Sequence, residues 1–205
     1  MFKNLQNETP HDVVLASSSP RRREILQQIG VRYCSVSPDI DESRYSEESS
    51  LELVRRLALK KAIAVAELNI SDKPILGADT LVMIGNQIFG KPNNKAEFIQ
   101  MLKTLSGRTH LVLSAVALTH SGVSKVLVSQ TEVTFRSLLN KEIVAYWDTH
   151  EPNGKAGGYA IQGFGAVFVD NLKGSYSGVV GLPIIQTCHL LAQFGVPLWQ
   201  SGVAQ

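Results

Sequence analysis

Residues 74–92 read PILGADTLVMIGNQIFGKP, two apolar stretches separated by Gly85-Asn86. A glycine–asparagine pair between such runs predicts a β-hairpin. The first run carries Asp79 at its middle, and aspartate is depleted in strands. A buried, isolated carboxylate is costly, so Asp79 calls for a cation, a metal ion or strong hydrogen-bond donors. Asp39, Asp41 and Glu42, in the acidic stretch SPDIDESRYSEESS (37–50), are candidates to share that cation. The alternative reading, suggested by Gly77, makes Asp79 a turn or capping residue.

Outward from this hairpin, strands and helices interleave. DVVLA (12–16) reads as a short buried strand, followed by a helix over 20–29 with Gly30 just past its end. Ser49 and Glu52 have capping-box spacing ahead of a long helix over 50–68. Asn94 with Glu97 begins a helix to about residue 105, stopped by Gly107, and residues 109–136 read as a hairpin turning at Ser121-Gly122. A helix over 141–149, a strand over 165–172 and a final helix from Pro183 toward Gly195 complete the reading. Hairpins mixed with crossovers predict an α/β fold, a mixed sheet flanked by helices. No linker or repeat divides the chain, so one domain over 1–205 is expected, with 1–11 as a peripheral tail.

The 205 residues are 44% hydrophobic and 19% charged with a formal net charge of +2, which gives no global field for nucleic acid or membrane. Cys34 and Cys188 form no paired motif, no apolar leader opens the chain, and no run is long enough to span a membrane. A cytoplasmic protein is expected, without nucleic-acid or membrane partners.

SSSPRRREIL (17–26) starts a helix with Ser19 at the N-cap and Pro20 at the first position, then sets three arginines at the positive end of the helix dipole. On a helical wheel Arg22 falls among Ile25, Leu26 and Ile29, Arg23 points away, and Arg21 sits at the edge. A cation on the inward side beside free amides makes an anion site. The plainer alternative is that these arginines cover surface or pair with the acidic loop. On the long helix, Lys61 lies within the stripe of Val54, Leu57, Ala58, Val65 and Leu68, with Lys60 on the flank. Lys61 therefore either snorkels or meets an anion.

Other chemistries fail on spacing. There is no GxxxxGK[ST] loop, GFGAVF (163–168) is an incomplete dinucleotide fingerprint, and GSYSG (174–178) centres on Tyr176 rather than a serine. The five histidines show no metal-binding spacing, and His110 and His189 read as structural. Arg22, Lys61, Lys91 in GKP and the carboxylates remain, a set suited to phosphoryl transfer or phosphate-ester hydrolysis.

LASSSPRRREIL, GADT, GKP, LSGRTH and EPNGKAGGYAIQGFGAVFV with GSYSGVVGLP, in this order, resemble the Maf family of nucleoside triphosphate pyrophosphatases. The resemblance implies a Maf/ITPase-like fold of two lobes around a cleft, a homodimer, and a Mg²⁺- or Mn²⁺-dependent conversion of a triphosphate to monophosphate and pyrophosphate. It implies Asp79 as proton acceptor and Ser19, Arg22, Glu42, Lys61, Lys91 and Gln162 as further site residues, with Glu42 and Asp79 on the metal. Arg21, Thr80 and Gln162 match the positions that distinguish dTTP- and UTP-directed members from a branch similar to 7-methyl-GTP pyrophosphatases, which has tryptophan, glutamine and glutamate there. A nucleotide-binding regulator of cell division without turnover is the other alternative. Gly154 stands where many relatives carry aspartate.

Overall fold

The computed structural model describes residues 10–200. Of the tail expected over 1–11, residues 1–9 lie outside the described residues. In chain order the elements are β1 (Val13–Ala16), α1 (Pro20–Gln28), β2 (Tyr33–Val36), α2 (Ser50–Ala66), β3 (Ile75–Ile84), β4 (Gln87–Phe89), α3 (Lys95–Leu105), β5 (Thr109–His120), β6 (Val123–Phe135), α4 (Asn140–Asp148), β7 (Val169–Lys173), α5 (Tyr176–Val180) and α6 (Ile184–Gln193). The strands form one seven-stranded sheet in the order β2-β1-β3-β5-β6-β7, with β4 also paired to β3. β1 runs parallel to β2 and β3, whereas β4 is antiparallel to β3 and β7 to β6, so the sheet is mixed.

The expected hairpin over 74–92 forms, with Gly85 at φ +54° in its turn. The second hairpin turns through Ser121 and Gly122, at φ +49° and +77°. Positive φ at both central residues matches the strand twist of a tight hairpin. Ser49 and Glu52 close their capping box, and the Asn94 side chain accepts from the Glu97 amide.

Expectations are corrected at two places. The long helix ends at Ala66 rather than at residue 68: Asn69 turns to φ +51° and Leu68 is exposed, outside the apolar stripe assigned to it. The strand expected over 165–172 begins only at Val169, after a 3₁₀ turn over Phe164–Phe168. The amides of Phe164 and Gly165 donate to the Glu151 carboxylate, so they do not enter a strand ladder. GSYSG, which has no catalytic serine at its centre, opens α5, where the Ser175 hydroxyl accepts from the Gly178 amide.

Two compact units are present. The first takes residues 10–79, 114–128 and 181–200 of the described chain, the second residues 80–113 and 129–180. In the first unit β1 is wholly buried, flanked by β2 and β3. α2 packs close enough to β3 that a Cβ on Gly77 would come within 2.7 Å of the Ala62 amide nitrogen. Only glycine permits that approach.

The core of the second unit is aromatic. Phe98, Phe135, Tyr146, Tyr159 and Phe168 are buried together with Leu102, Leu105 and Ile143. Edge-on ring pairs recur, with Phe135 and Tyr159 at 4.8 Å and Tyr146 and Phe168 at 5.0 Å. Such pairs add about 0.5–1.5 kcal/mol each beyond the area they bury. His110 joins this core edge-on to Phe135, and its Nε2 lies 2.8 Å from the Tyr159 hydroxyl.

Burial lowers the His110 imidazole from the usual 6.5 to about 4. The folded protein thus holds the neutral ring, and protonation favours the unfolded chain. The stability present above pH 6.5 is therefore lost as the pH falls toward 4. His110→Phe should flatten the stability–pH curve across that window by at most about 3 kcal/mol. Urea titrations at several pH values measure this, and an unchanged slope would contradict a buried neutral imidazole.

Candidate active site

The buried approach of α2 to β3 brings Lys61 to Asp79. Both residues are buried, at 8% and 6% exposure, and Lys61 Nζ donates to Asp79 Oδ1 at 2.7 Å. Glu42 Oε1 lies 2.7 Å from the same ammonium. One lysine thus bridges two carboxylates, one buried and one half-open to water. Asp79 Oδ2 is buried and has no hydrogen-bond partner. Asp79 lies inside β3 rather than at a turn or cap.

Of the three acidic-loop candidates, Glu42 alone pairs with Lys61. Asp41 turns back to accept from the Ser43 amide and hydroxyl at 2.9 and 2.8 Å, and Asp39 is exposed. The loop is tied to α2 by Arg56, which forks onto Glu48 and covers the Tyr45 ring at 4.0 Å. Lys60 goes to the Tyr45 hydroxyl at 3.1 Å. The two adjacent lysines therefore have different partners.

Burial pushes the Asp79 carboxyl above the ordinary aspartate value, and the charge on Glu42 acts in the same sense; Lys61 and Arg22 oppose both. Arg22 on α1 is half-buried, while Arg23 is exposed. Arg22 Nε donates to the Gly181 carbonyl at 2.9 Å and Nη1 to Ser17 Oγ at 3.1 Å. Burial works to lower the Arg22 pKa, and Asp79 and Glu42 work to raise it.

Ser19 occupies the N-cap position, but its hydroxyl makes no capping bond, which corrects the expected cap. Its neighbour Ser17 is the buried serine, accepting from the Ser19 amide at 3.2 Å and from Arg22. Sequence reasoning passed over Ser17; a polar side chain directly after the apolar run 13–16 was the available signal. The first turn of α1 carries no acidic residue. Its amides and Arg22 together suit an anion.

The first unit therefore gathers Ser19, Arg21, Arg22, Glu42, Lys61 and Asp79. Thr80, Lys91 and Gln162 belong to the second. Thr80 follows Asp79 along β3 and is half-buried, Lys91 is exposed beyond β4, and Gln162 is exposed on the loop of residues 159–163. Gly154, at φ +69°, has open space around its Cβ direction, so the residue missing relative to many relatives faces no close neighbour.

Residues 12–194 match the Maf-like protein family. The chain belongs to the Maf family. Relatives named dTTP/UTP pyrophosphatase are similar over nearly the whole length. The protein of Saccharophagus degradans is 49% identical over 193 residues, 93% of this chain and 92% of that one. That of Pseudoalteromonas translucida is 47% identical, covering 89% and 96%, and that of Vibrio cholerae is 44% identical, covering 89% and 97%. Among solved structures, the Staphylococcus aureus Ham1 protein aligns with a TM-score of 0.44 at 17% identity, over 75% of this Maf chain and 77% of the other. Among the described residues no helix is long and apolar enough to cross a membrane.

The lysine bridge makes a stability prediction. Lys61→Met leaves a buried carboxylate without its cation, at a cost of up to about 3 kcal/mol. Asp79 then has its folded-state pKa raised further, so the loss should grow as the pH rises from about 5 to 8. Lys60→Ala should change stability by less than about 0.5 kcal/mol. Urea denaturation at both pH values reads the difference, and equal small effects at 60 and 61 would contradict the geometry.

Proposed function

We propose that this Maf-family chain hydrolyses dTTP and UTP to the nucleoside monophosphate and pyrophosphate. The observation that carries the proposal is the buried Asp79 carboxylate, with one oxygen on Lys61 and the other unanswered. A carboxylate kept only for stability gains little from such a place, because a buried pair often contributes less than apolar packing of the same volume. The names of relatives similar over nearly the whole chain support the same substrates.

Water attacks the α-phosphorus, the bond from that phosphorus to the α–β bridging oxygen breaks, and pyrophosphate leaves. Asp79 accepts the proton of the attacking water, a role that a raised carboxyl pKa favours. Arg22, Lys61 and Lys91 neutralise the triphosphate, and Ser19 with the first-turn amides of α1 hydrogen-bonds it.

Among the described residues no group of three or more His, Cys, Asp or Glu could hold a metal ion. The buried free oxygen of Asp79 and the carboxylate of Glu42 nonetheless fit Mg²⁺ or Mn²⁺, since such ions bind through one or two carboxylates and complete their shell with phosphate oxygens and water. A divalent cation held by Asp79 and Glu42 would offset charge on the phosphoryl oxygens. Neither Cys34 nor Cys188 is in a disulfide among the described residues, in keeping with a reducing, cytoplasmic setting.

Gln162 reads the base. Its amide offers a carbonyl to the N3–H of thymine or uracil and an NH₂ to an adjacent base carbonyl. The charge on Arg21 disfavours a cationic methylated purine.

Asp79→Asn should lower kcat about a hundredfold or more with KM for dTTP largely kept. Gln162→Glu should lower kcat/KM for dTTP about tenfold, or about 1.4 kcal/mol. Pyrophosphate release measured across a panel of triphosphates is the decisive assay. Preference for 7-methyl-GTP, or an Asp79→Asn variant within a few-fold of the parent, would overturn the proposal.

A further inference from the structure

Gln162 is exposed, yet the backbone on either side of it is held by one polar network. Tyr146 on α4 is buried among the aromatic rings. Its hydroxyl accepts from the Ala160 amide at 3.0 Å and donates to Glu151 Oε1 at 2.7 Å. The Glu151 carboxylate in turn accepts from the Gly165 amide at 3.0 Å through Oε1 and from the Phe164 amide at 2.9 Å through Oε2. The anchored amides thus lie two residues before Gln162 and two and three residues after it.

The local sequence is cut to fit this network. A Cβ on Gly163 would collide with Glu151 Oε2, and one on Gly165 would come within 2.7 Å of the Tyr146 hydroxyl oxygen. Burial works against charge on Glu151, but the Tyr146 hydroxyl and the two amides outweigh it and hold its carboxyl below the usual glutamate range. The acceptor therefore stays ionised near neutral pH, when charge-assisted hydrogen bonds are strongest.

We infer that Tyr146 and Glu151 are positioning residues for base selection, fixing the backbone on both flanks of Gln162 so that its amide meets a pyrimidine edge in one orientation. The inference rests on the reading of Gln162 as the base-contacting residue. Thymine and cytosine have rings of the same size. Thymine presents N3–H between two carbonyls, whereas cytosine presents an N3 acceptor beside an amino donor. An amide on a loose backbone turns to suit either edge; an amide on a fixed backbone favours one. Loosening the network erodes the choice between bases and leaves the handling of the triphosphate intact.

The test compares kcat/KM for dTTP over dCTP in Tyr146→Phe, Glu151→Gln and Gly163→Ala, with Gln162→Ala as the reference. Inhibition by inorganic tripolyphosphate reports separately on the phosphate end. Tyr146→Phe keeps the ring packed against Phe98 and Phe168, so it tests the network even where the other variants fold poorly. Each network variant should lower the dTTP/dCTP ratio about tenfold, mainly through KM for dTTP, with tripolyphosphate inhibition within about twofold of the parent. If Gln162→Ala loses the ratio and the network variants keep it, the inference is overturned and the reading of Gln162 stands. Parallel loss of tripolyphosphate inhibition in the network variants would mark a general structural role and also overturn it. An unchanged ratio in Gln162→Ala removes the reading itself and the inference with it.

Discussion

The salt bridge between Lys61 and Asp79 depends on how closely a helix can lie against a strand. α2 crosses β3 where Gly77 has no Cβ, with Ala58 and Ala62 of the helix against it. A larger residue at 77 would push the helix outward and lengthen the reach from Lys61 to Asp79, which lies two residues further along β3 on the same face. The 2.7 Å contact, the shared ammonium on Glu42 and the raised Asp79 carboxyl all follow from that one close approach. Removing either partner would leave a buried charge, so the pair is kept or lost together.

Within the first unit the charges are graded by depth. Asp79 is buried, Arg22 half-buried and Glu42 half-open to water. Arg22 spends two of its donors on the Gly181 carbonyl and Ser17, which fixes the guanidinium at the start of α1. An arginine there opposes the helix dipole, and the two carboxylates offset that cost. The second unit is built differently. Its aromatic core holds polar pairs such as Tyr146 with Glu151, where one hydroxyl both donates and accepts. Buried polar networks of this kind specify one backbone conformation when every member is paired.

Parts of the site were legible from helical periodicity alone. Lys61 was separable from Lys60, and Arg22 from Arg23, because neighbours on a helix differ by about 100° in direction. Their burial follows that order. Glu42 was not separable from Asp39 and Asp41, since a loop has no period and only the folded path of residues 37–49 selects the carboxylate that meets Lys61. Ser17 was hidden for a related reason: three successive serines are alike in sequence and differ only in where the chain turns.

The local elements were determined by the sequence itself. Hairpin turns at Gly85-Asn86 and Ser121-Gly122, the Ser49–Glu52 box and the Asn94 cap each depend on residues within four positions of one another, so their energetics are complete in the chain. The strand that begins at Val169, and not four residues earlier, was decided by tertiary structure, because Glu151 claims the amides of Phe164 and Gly165 from more than ten residues away. The same holds for the lysine shared by Glu42 and Asp79: three charges separated by 19 and 18 positions meet only once α2 has settled on Gly77. Periodicity gives each side chain a direction. Only packing gives it a partner.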